Sequence, residues 1–322
     1  MIKKRRSKPL ALEAIEAADR RLRENHRSKP VLIKEMNIRR AGYRGEMAMD
    51  YPLSFLNKDD YYILHDLRLP NHVGTYFQND SILLSPSILI PLSVKNFRHK
   101  VIFEEATKQM IHHVDGLEQG YACPTIQADH HQTQLGQWLK INGFPQIPIQ
   151  PLIAFSNPST IIQINGDAHN YQHVFTSNQL PSKITQLEKS NRAKYLSRKK
   201  MNELSSEFIK QHTPLTYDIM KQFDIRPEEI LTGVHCPDCG YLAMKREYGK
   251  WRCPKCQYTS KKAHIKALRD YFLLFNSSIT NAECRRFLHL QSRHQARSLL
   301  NEYEVKKKGK TRGTKYIYVK GK

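Results

Sequence analysis

Four of the six cysteines stand in two matched pairs, Cys236-Pro-Asp-Cys239 and Cys253-Pro-Lys-Cys256, with thirteen residues between the pairs. Each turn aims two thiolates at one ion, and four such soft ligands satisfy tetrahedral Zn²⁺ with no position left open to water. A closed site of this kind is structural and supplies folding energy rather than catalysis. The competing uses of paired cysteines each need more: a redox pair needs a thioredoxin-like βαβ unit, and disulfides need an oxidising compartment. Cys123 and Cys284 are isolated and read as ordinary buried thiols. Harder ligands occur in three other segments, Gly42-Tyr-Arg-Gly45-Glu46, Gln78-Asn-Asp80 and Ser93-Val-Lys95-Asn96. Taken singly, a Glu in a helix and an Asp beginning a strand are solvated groups, so the interest of these three lies in their order along the chain.

The elements between them follow from periodicity. A helix is expected over Pro9–Arg27 and another over Gly45–Leu56, followed by short β-rich runs at Tyr61–Leu64, Ser81–Leu84, Ile88–Val94 and Val101–Phe103. A helix over Ile126–Leu139 and strands over Gln150–Phe155 and Thr160–Gln163 complete an α/β pattern. From Pro181 to Lys210 the chain is helical and basic, and reads as a linker. The organisation expected is a basic N-terminal helix (1–37), an α/β domain (38–178), a basic helical linker (179–234), the cysteine module (235–260) and a final module (261–322).

That final module begins with the amphipathic run Ala263–Phe275; Ser278-Ile-Thr280 can cap a second helix ending near Leu288, and Ser292 a third running to about Tyr303. A basic hairpin then runs from Glu304 into Lys315-Tyr-Ile-Tyr-Val319. Three helices and a hairpin resemble a winged helix-turn-helix, in which the third helix enters the major groove and the wing touches phosphate. The resemblance makes Arg293, His294, Gln295 and Arg297 base-edge candidates, and Lys306, Lys307, Lys308, Lys310 and Arg312 phosphate candidates. A small helical domain for protein contacts is the alternative.

Charge favours a polyanionic partner. The chain holds 52 Lys and Arg against 30 Asp and Glu, a net +22, and the excess is segregated. Residues 1–44 hold 14 basic and 5 acidic groups, whereas 45–180 hold 7 and 12; 181–262 hold 17 and 9, and 263–322 hold 14 and 4. A mildly acidic core between basic flanks fits a nucleic-acid partner; the winged-helix resemblance implies DNA. The apolar run Ser81–Val94 is interrupted by Pro86 and Pro91 and is too short to span a membrane. The start Met1-Ile-Lys-Lys-Arg-Arg is followed by a charged helix rather than an apolar signal core, so a cytoplasmic location is expected.

Taken together and in order, the three hard-ligand segments resemble the nuclease-related domain (NERD), a relative of the PD-(D/E)xK nucleases. The likeness extends over about Ile38–Ile162 and includes Tyr61-Tyr-Ile-Leu-His-Asp66-Leu, the Val-Lys-Asn after the apolar strand, Pro124-Thr-Ile-Gln127 and Leu152-Ile-Ala-Phe-Ser-Asn157. It implies a PD-(D/E)xK-like α/β core followed by the linker, a small zinc ribbon and a winged helix. The implied catalytic residues are Glu46, Asp80, Lys95 and Gln127, with Mg²⁺ or Mn²⁺ held at Asp80, and the implied activity is cleavage of phosphodiester bonds in DNA processing. Ser93 stands where the family has the Glu of its Glu-x-Lys motif, which removes one negative charge from the metal position. Two expectations follow: another acid, Glu46, Glu104 or Glu105, replaces the missing one, or the domain binds nucleic acid without cutting it.

Overall fold

The computed structural model describes residues 1–310 and 313–319. The chain opens with strand β1 (Ile2–Lys4) and helices α1 (Leu10–Arg21) and α2 (Lys29–Ala48). It divides into two units, Met1–Lys8 with Ile38–Leu215 and Pro9–Asn37 with Thr216–Lys322. Among the described residues no helix is long and apolar enough to cross a membrane.

After α3 (Asp50–Leu53), the first unit continues through β2 (Tyr62–Pro70), β3 (Tyr76–Leu84), β4 (Leu89–Lys95), β5 (Lys100–Glu104), β6 (Gln109–Val114) and β7 (Leu117–Ala122). Helix α4 (Pro124–Ile141), β8 (Leu152–Phe155), β9 (Ile161–Asn165), β10 (Val174–Thr176), α5 (Leu180–Ser190) and α6 (Arg198–Gln211) complete it. Six strands form a mixed sheet in the order β1-β2-β3-β4-β8-β10, and four form a second in the order β7-β6-β5-β9. Because successive strand side chains point to opposite faces, Tyr62 and Leu64 bury against Trp138 of α4 and Phe208 of α6, while Tyr61 and Ile63 bury with Leu53 of α3 and Ile184 of α5. Helices therefore cover both faces of the larger sheet, the mixed α/β class expected of a nuclease-like domain.

The basic stretch read as a linker forms α5 and α6. Ile184, Met201, Leu204 and Phe208 recur at helical spacing and are fully buried, so apolar periodicity outweighs the surrounding charge. Pro91, read as an interruption, lies inside β4 opposite Ile82. Strand β1 and the β6–β7 hairpin have no counterpart in the sequence reading. The hairpin had a local signal: Asp115 and Gly116 take φ values of +51° and +77°, the left-handed pair that an Asp-Gly turn favours.

In the second unit, α7 (Ile219–Gln222) leads to the cysteine module, whose strands β11 (Lys245–Glu247), β12 (Lys250–Arg252) and β13 (Thr259–Ser260) form an antiparallel sheet. Helix α8 (Ala263–Leu274), β14 (Ser278–Thr280), α9 (Asn281–Leu288), α10 (Arg293–Asn301), β15 (Val305–Lys308) and β16 (Lys315–Tyr318) follow. The Thr280 and Ser292 side chains cap α9 and α10 as their positions suggest. One apolar core joins Cys236, Trp251 and Cys253 to Leu268, Phe287, Leu299 and Tyr316. Helix α1 belongs to the same unit: Arg20 and Arg21 both bind Asp270 of α8, with Nη2 and Nε at 2.8 and 2.7 Å from its carboxylate, and the Arg21 and Asp270 side chains are wholly buried.

Candidate active site and metal centre

The carboxylate site is assembled where α2 meets the sheet. A Cβ on Gly45 would lie 2.6 Å from Asn96 Cβ and 2.7 Å from Ser156 Oγ, so only glycine lets the helix approach this closely. Asn96 Nδ2 then donates to the Ala41 carbonyl at 2.7 Å, tying the helix to the end of β4 and directing the next residue, Glu46, into the site. Asp80 is fixed from the other side, its Oδ2 accepting from the Val94 N–H at 2.7 Å.

Two further residues were missed as site members. Strands β2 and β3 hold one register from Tyr62↔Leu84 to Pro70↔Tyr76, but the facing residues Asp66 and Asp80 drop out of it. Asp66 takes a left-handed φ of +50°, a costly conformation for a non-glycine residue inside a strand. Across it the core side advances by three residues, from Leu64 to Leu67, instead of two. Asp66 lay inside the Tyr61–Leu67 segment that carried the resemblance, so a signal was present. The second residue is Arg6, just beyond β1 and far from the rest in sequence. Its side chain is 5% exposed, and the guanidinium lies 3.0 Å from Glu46 Oε2 and 3.4 Å from Asp50 Oδ1. It also donates to His65 Nδ1 at 2.9 Å and to Ser81 Oγ at 3.3 Å.

The electrostatics follow from these neighbours. Burial, then the charge of Asp80, pushes the Glu46 carboxyl up to about 8, against the pull of Arg6. Burial, with a contribution from Asp66, raises Asp80 as well, although the Val94 N–H, Lys95 and Arg6 oppose it. Burial together with Arg6 and Lys4 lowers His65 to about 3, which keeps it neutral and able to accept from Arg6. Acids raised by burial and by neighbouring carboxylates are short of positive charge, the condition a divalent cation relieves.

Beside this group Lys95 Nζ donates to Gln127 Oε1 at 2.9 Å, joining the end of β4 to the first turns of α4. The structure thus brings Glu46 near Asp80 and Lys95 onto Gln127. Ser93, two residues before Lys95, is 5% exposed and uncharged. Glu104 and Glu105 are engaged elsewhere: Glu104 accepts from Asn165, and Glu105 accepts from the Asp167 N–H at 2.7 Å and Asn170 Nδ2 at 2.6 Å. Glu46 and Asp66 remain as the acids coupled to Asp80.

In the second unit the four cysteine sulfurs all lie within 4.8 Å of one another, the one such cluster of three or more Cys, His or carboxylate ligands among the described residues. Cys236 and Cys256 sulfurs are 3.6 Å apart, as are those of Cys239 and Cys253. A tetrahedron with Zn–S of 2.3 Å has edges of about 3.8 Å, whereas a disulfide needs about 2.05 Å. The four residues fit a metal ion such as Zn²⁺.

Arg293, His294, Gln295 and Arg297 lie on the exposed side of α10, whose opposite side buries Ala296, Leu299 and Leu300. Lys306, Lys307 and Lys308 on β15, and Lys310 beyond it, are exposed. Arg312 lies outside the described residues.

Residues 41–156 match the family model of the nuclease-related domain. That span holds Glu46, Asp66, Asp80, Ser93, Lys95 and Gln127, and excludes Arg6 and the whole second unit. No curated protein and no solved structure matches the chain.

Proposed function

We infer that the first unit is a divalent-metal-dependent nuclease acting on DNA. The observation that carries this reading is the convergence of Glu46 and Asp80, bridged by Arg6 and both raised chiefly by burial, next to the Lys95–Gln127 pair. Mg²⁺ or Mn²⁺ fits the donors, since both are hard ions that take carboxylate oxygens, and Asp80 and Glu46 would hold it with Asp66 adjacent. Bound there, the ion supplies charge neutralisation and a water of lowered pKa. Lys95, oriented by Gln127, is placed to stabilise negative charge on the phosphoryl oxygens. Arg6 holds Glu46 in position and keeps a positive charge beside it. The cysteine module acts as a structural zinc ribbon. The module from α8 to β16 acts as a winged helix, with α10 reading bases and the lysines of β15 on phosphate.

A second reading is favoured by Ser93. With a neutral hydroxyl in place of the acid and Arg6 already paired to Glu46, the domain binds nucleic acid without cutting it. Incubating the protein with Mg²⁺ or Mn²⁺ on plasmid, linear and single-stranded DNA separates the two. Cleavage lost in Asp80→Ala and Lys95→Ala supports the enzyme. An inactive parent with an active Ser93→Glu variant establishes the second reading.

A further inference from the structure

The two cysteine knuckles are built alike beyond their metal ligands. Each places a tyrosine two residues after its second cysteine, in Cys236-Pro-Asp-Cys239-Gly-Tyr241 and Cys253-Pro-Lys-Cys256-Gln-Tyr258. Each turn closes with the same backbone bonds, Cys236 N–H to the Tyr241 carbonyl and Cys253 N–H to the Tyr258 carbonyl, both at 2.9 Å. The residue before each tyrosine, Gly240 or Gln257, is left-handed, with φ of +71° and +63°. Both tyrosines remain 43–44% exposed, which leaves part of each open to a ligand.

Tyr258 lines a cleft of about 540 Å³ between the first knuckle and the start of α8. Lys262 and Lys266 line the same cleft one helical turn apart, and neither appears in an ion pair among the described residues. Arg20 also reaches it, with its charge already met by Asp270, and Asp238 is the one acid on the rim. A half-open aromatic ring beside two uncompensated ammonium groups is a recognition chemistry for a nucleotide: the ring accepts any base face, and the lysines meet the flanking phosphates. A duplex keeps its bases stacked on one another and cannot offer such a face, so the partner is a single strand.

We propose that this cleft binds single-stranded nucleic acid, with one base stacked on Tyr258 and adjacent phosphates on Lys262 and Lys266. The proposal rests on the nucleic-acid reading of the chain but not on cleavage. Each aromatic stack lost costs roughly a five- to hundredfold change in affinity. Neutralising two phosphate contacts to a single strand reduces the slope of log K against log salt by roughly 1.4.

The test uses the full zinc-loaded chain without added Mg²⁺ and fluorescent dT and rU oligonucleotides, read by anisotropy across a salt series. Tyr258→Ala is expected to bind at least fivefold more weakly, Tyr258→Phe to bind as the parent does, and Lys262→Ala with Lys266→Ala to flatten the salt dependence. Tyr248→Ala is the control, because that ring is exposed at the β11–β12 turn and does not line the cleft. Retained zinc in each variant shows that the module is folded. Preference for dT over rU, or the reverse, identifies the strand. Binding unchanged in Tyr258→Ala, or equally weakened in Tyr248→Ala, overturns the proposal, as does a parent that binds neither oligonucleotide at low salt. Loss of binding in Tyr258→Ala from a parent that never cleaves DNA upholds the cleft while removing the nuclease. Cleavage with unaltered binding does the opposite.

Discussion

Replacing Glu46 with glutamine, in protein free of divalent metal at the acidic site, should remove a pH dependence that the fold imposes on itself. In the unfolded chain this carboxyl titrates near 4.5, and in the folded one near 8. Between those values the native state carries a proton that the unfolded state has released, so stability falls as pH rises. Each unit is worth about 1.36 kcal/mol, which amounts to about 1.6 kcal/mol between pH 6.5 and 8 because the group is half titrated at the upper end. The histidines of the same unit lowered by burial, His65, His131, His173 and His212, act in the opposite sense. Their stabilising effect is gained as pH rises through about 6.5, and what remains to be gained above that value, about 0.4 kcal/mol each, is common to the parent and Glu46→Gln. Native-state hydrogen exchange of peptides covering β3 and β4, corrected for intrinsic rate, isolates the first unit. Relative to Glu46→Gln, the parent should lose about 1.6 kcal/mol of protection over the window. Asp80→Asn should keep part of the slope, because burial outranks the Asp80 charge as the cause of the Glu46 shift. Adding Mg²⁺ should lessen the slope of the parent alone. Equal slopes in the parent and Glu46→Gln would refute the claim that these acids are held in a charge-deficient site.

Four other outcomes follow from particular contacts. Gly45→Ala forces a methyl into Asn96 and Ser156, and should cost about 1–3 kcal/mol in urea denaturation while also weakening any Mg²⁺ binding. Asp270→Ala leaves the fully buried Arg21 guanidinium without its anion and should destabilise the second unit by about 3–5 kcal/mol, read by a lowered thermal midpoint. One zinc per chain is expected by native mass spectrometry, and its removal should expose Trp251, which is 1% exposed beside Cys253, as a red shift in emission. Lys306→Ala with Lys308→Ala should reduce the salt slope of duplex binding by about 1.8 if both meet phosphate. This charge variant is cleaner than deleting residues 263–322, which would remove most of an apolar core shared with the cysteine module.

What could be read from the sequence depended on how local its physical cause was. Cys236, Cys239, Cys253 and Cys256 were legible because a CxxC turn sets its own geometry, and the caps Thr280 and Ser292 because capping is decided within four residues. Glu46, Asp80, Lys95 and Gln127 came from resemblance, since nothing in the local pattern separates a solvated Glu from one that Gly45 presses against a sheet. Arg6 was out of reach. Its meaning lies in pairing β1 to β2 in parallel register, Ile2 opposite Ile63, a contact across some sixty residues that composition cannot signal. Asp66 falls between these cases: its identity was noted, but its role depends on a strand irregularity visible only against β3.

The same difference bears on the missing acid at position 93. A motif read along one strand counts Ser93 as a loss, whereas the folded site draws acids from α2, β2 and β3, and cations from the chain's first residues and β4. Charge is a property of the cluster, and Coulomb coupling over a few ångströms does not depend on which strand supplies the carboxylate. Asp66, held by the Gln78 amide at 2.7 Å and by its left-handed backbone, returns one negative charge to the neighbourhood that Ser93 leaves neutral. If that compensation is functional, Asp66→Asn should weaken Mg²⁺ binding as much as Glu46→Gln does, measured by calorimetry, and Ser93→Glu should restore it in the Asp66→Asn background. An Asp66→Asn protein that binds Mg²⁺ as the parent does would show that the carboxylate serves only the local turn.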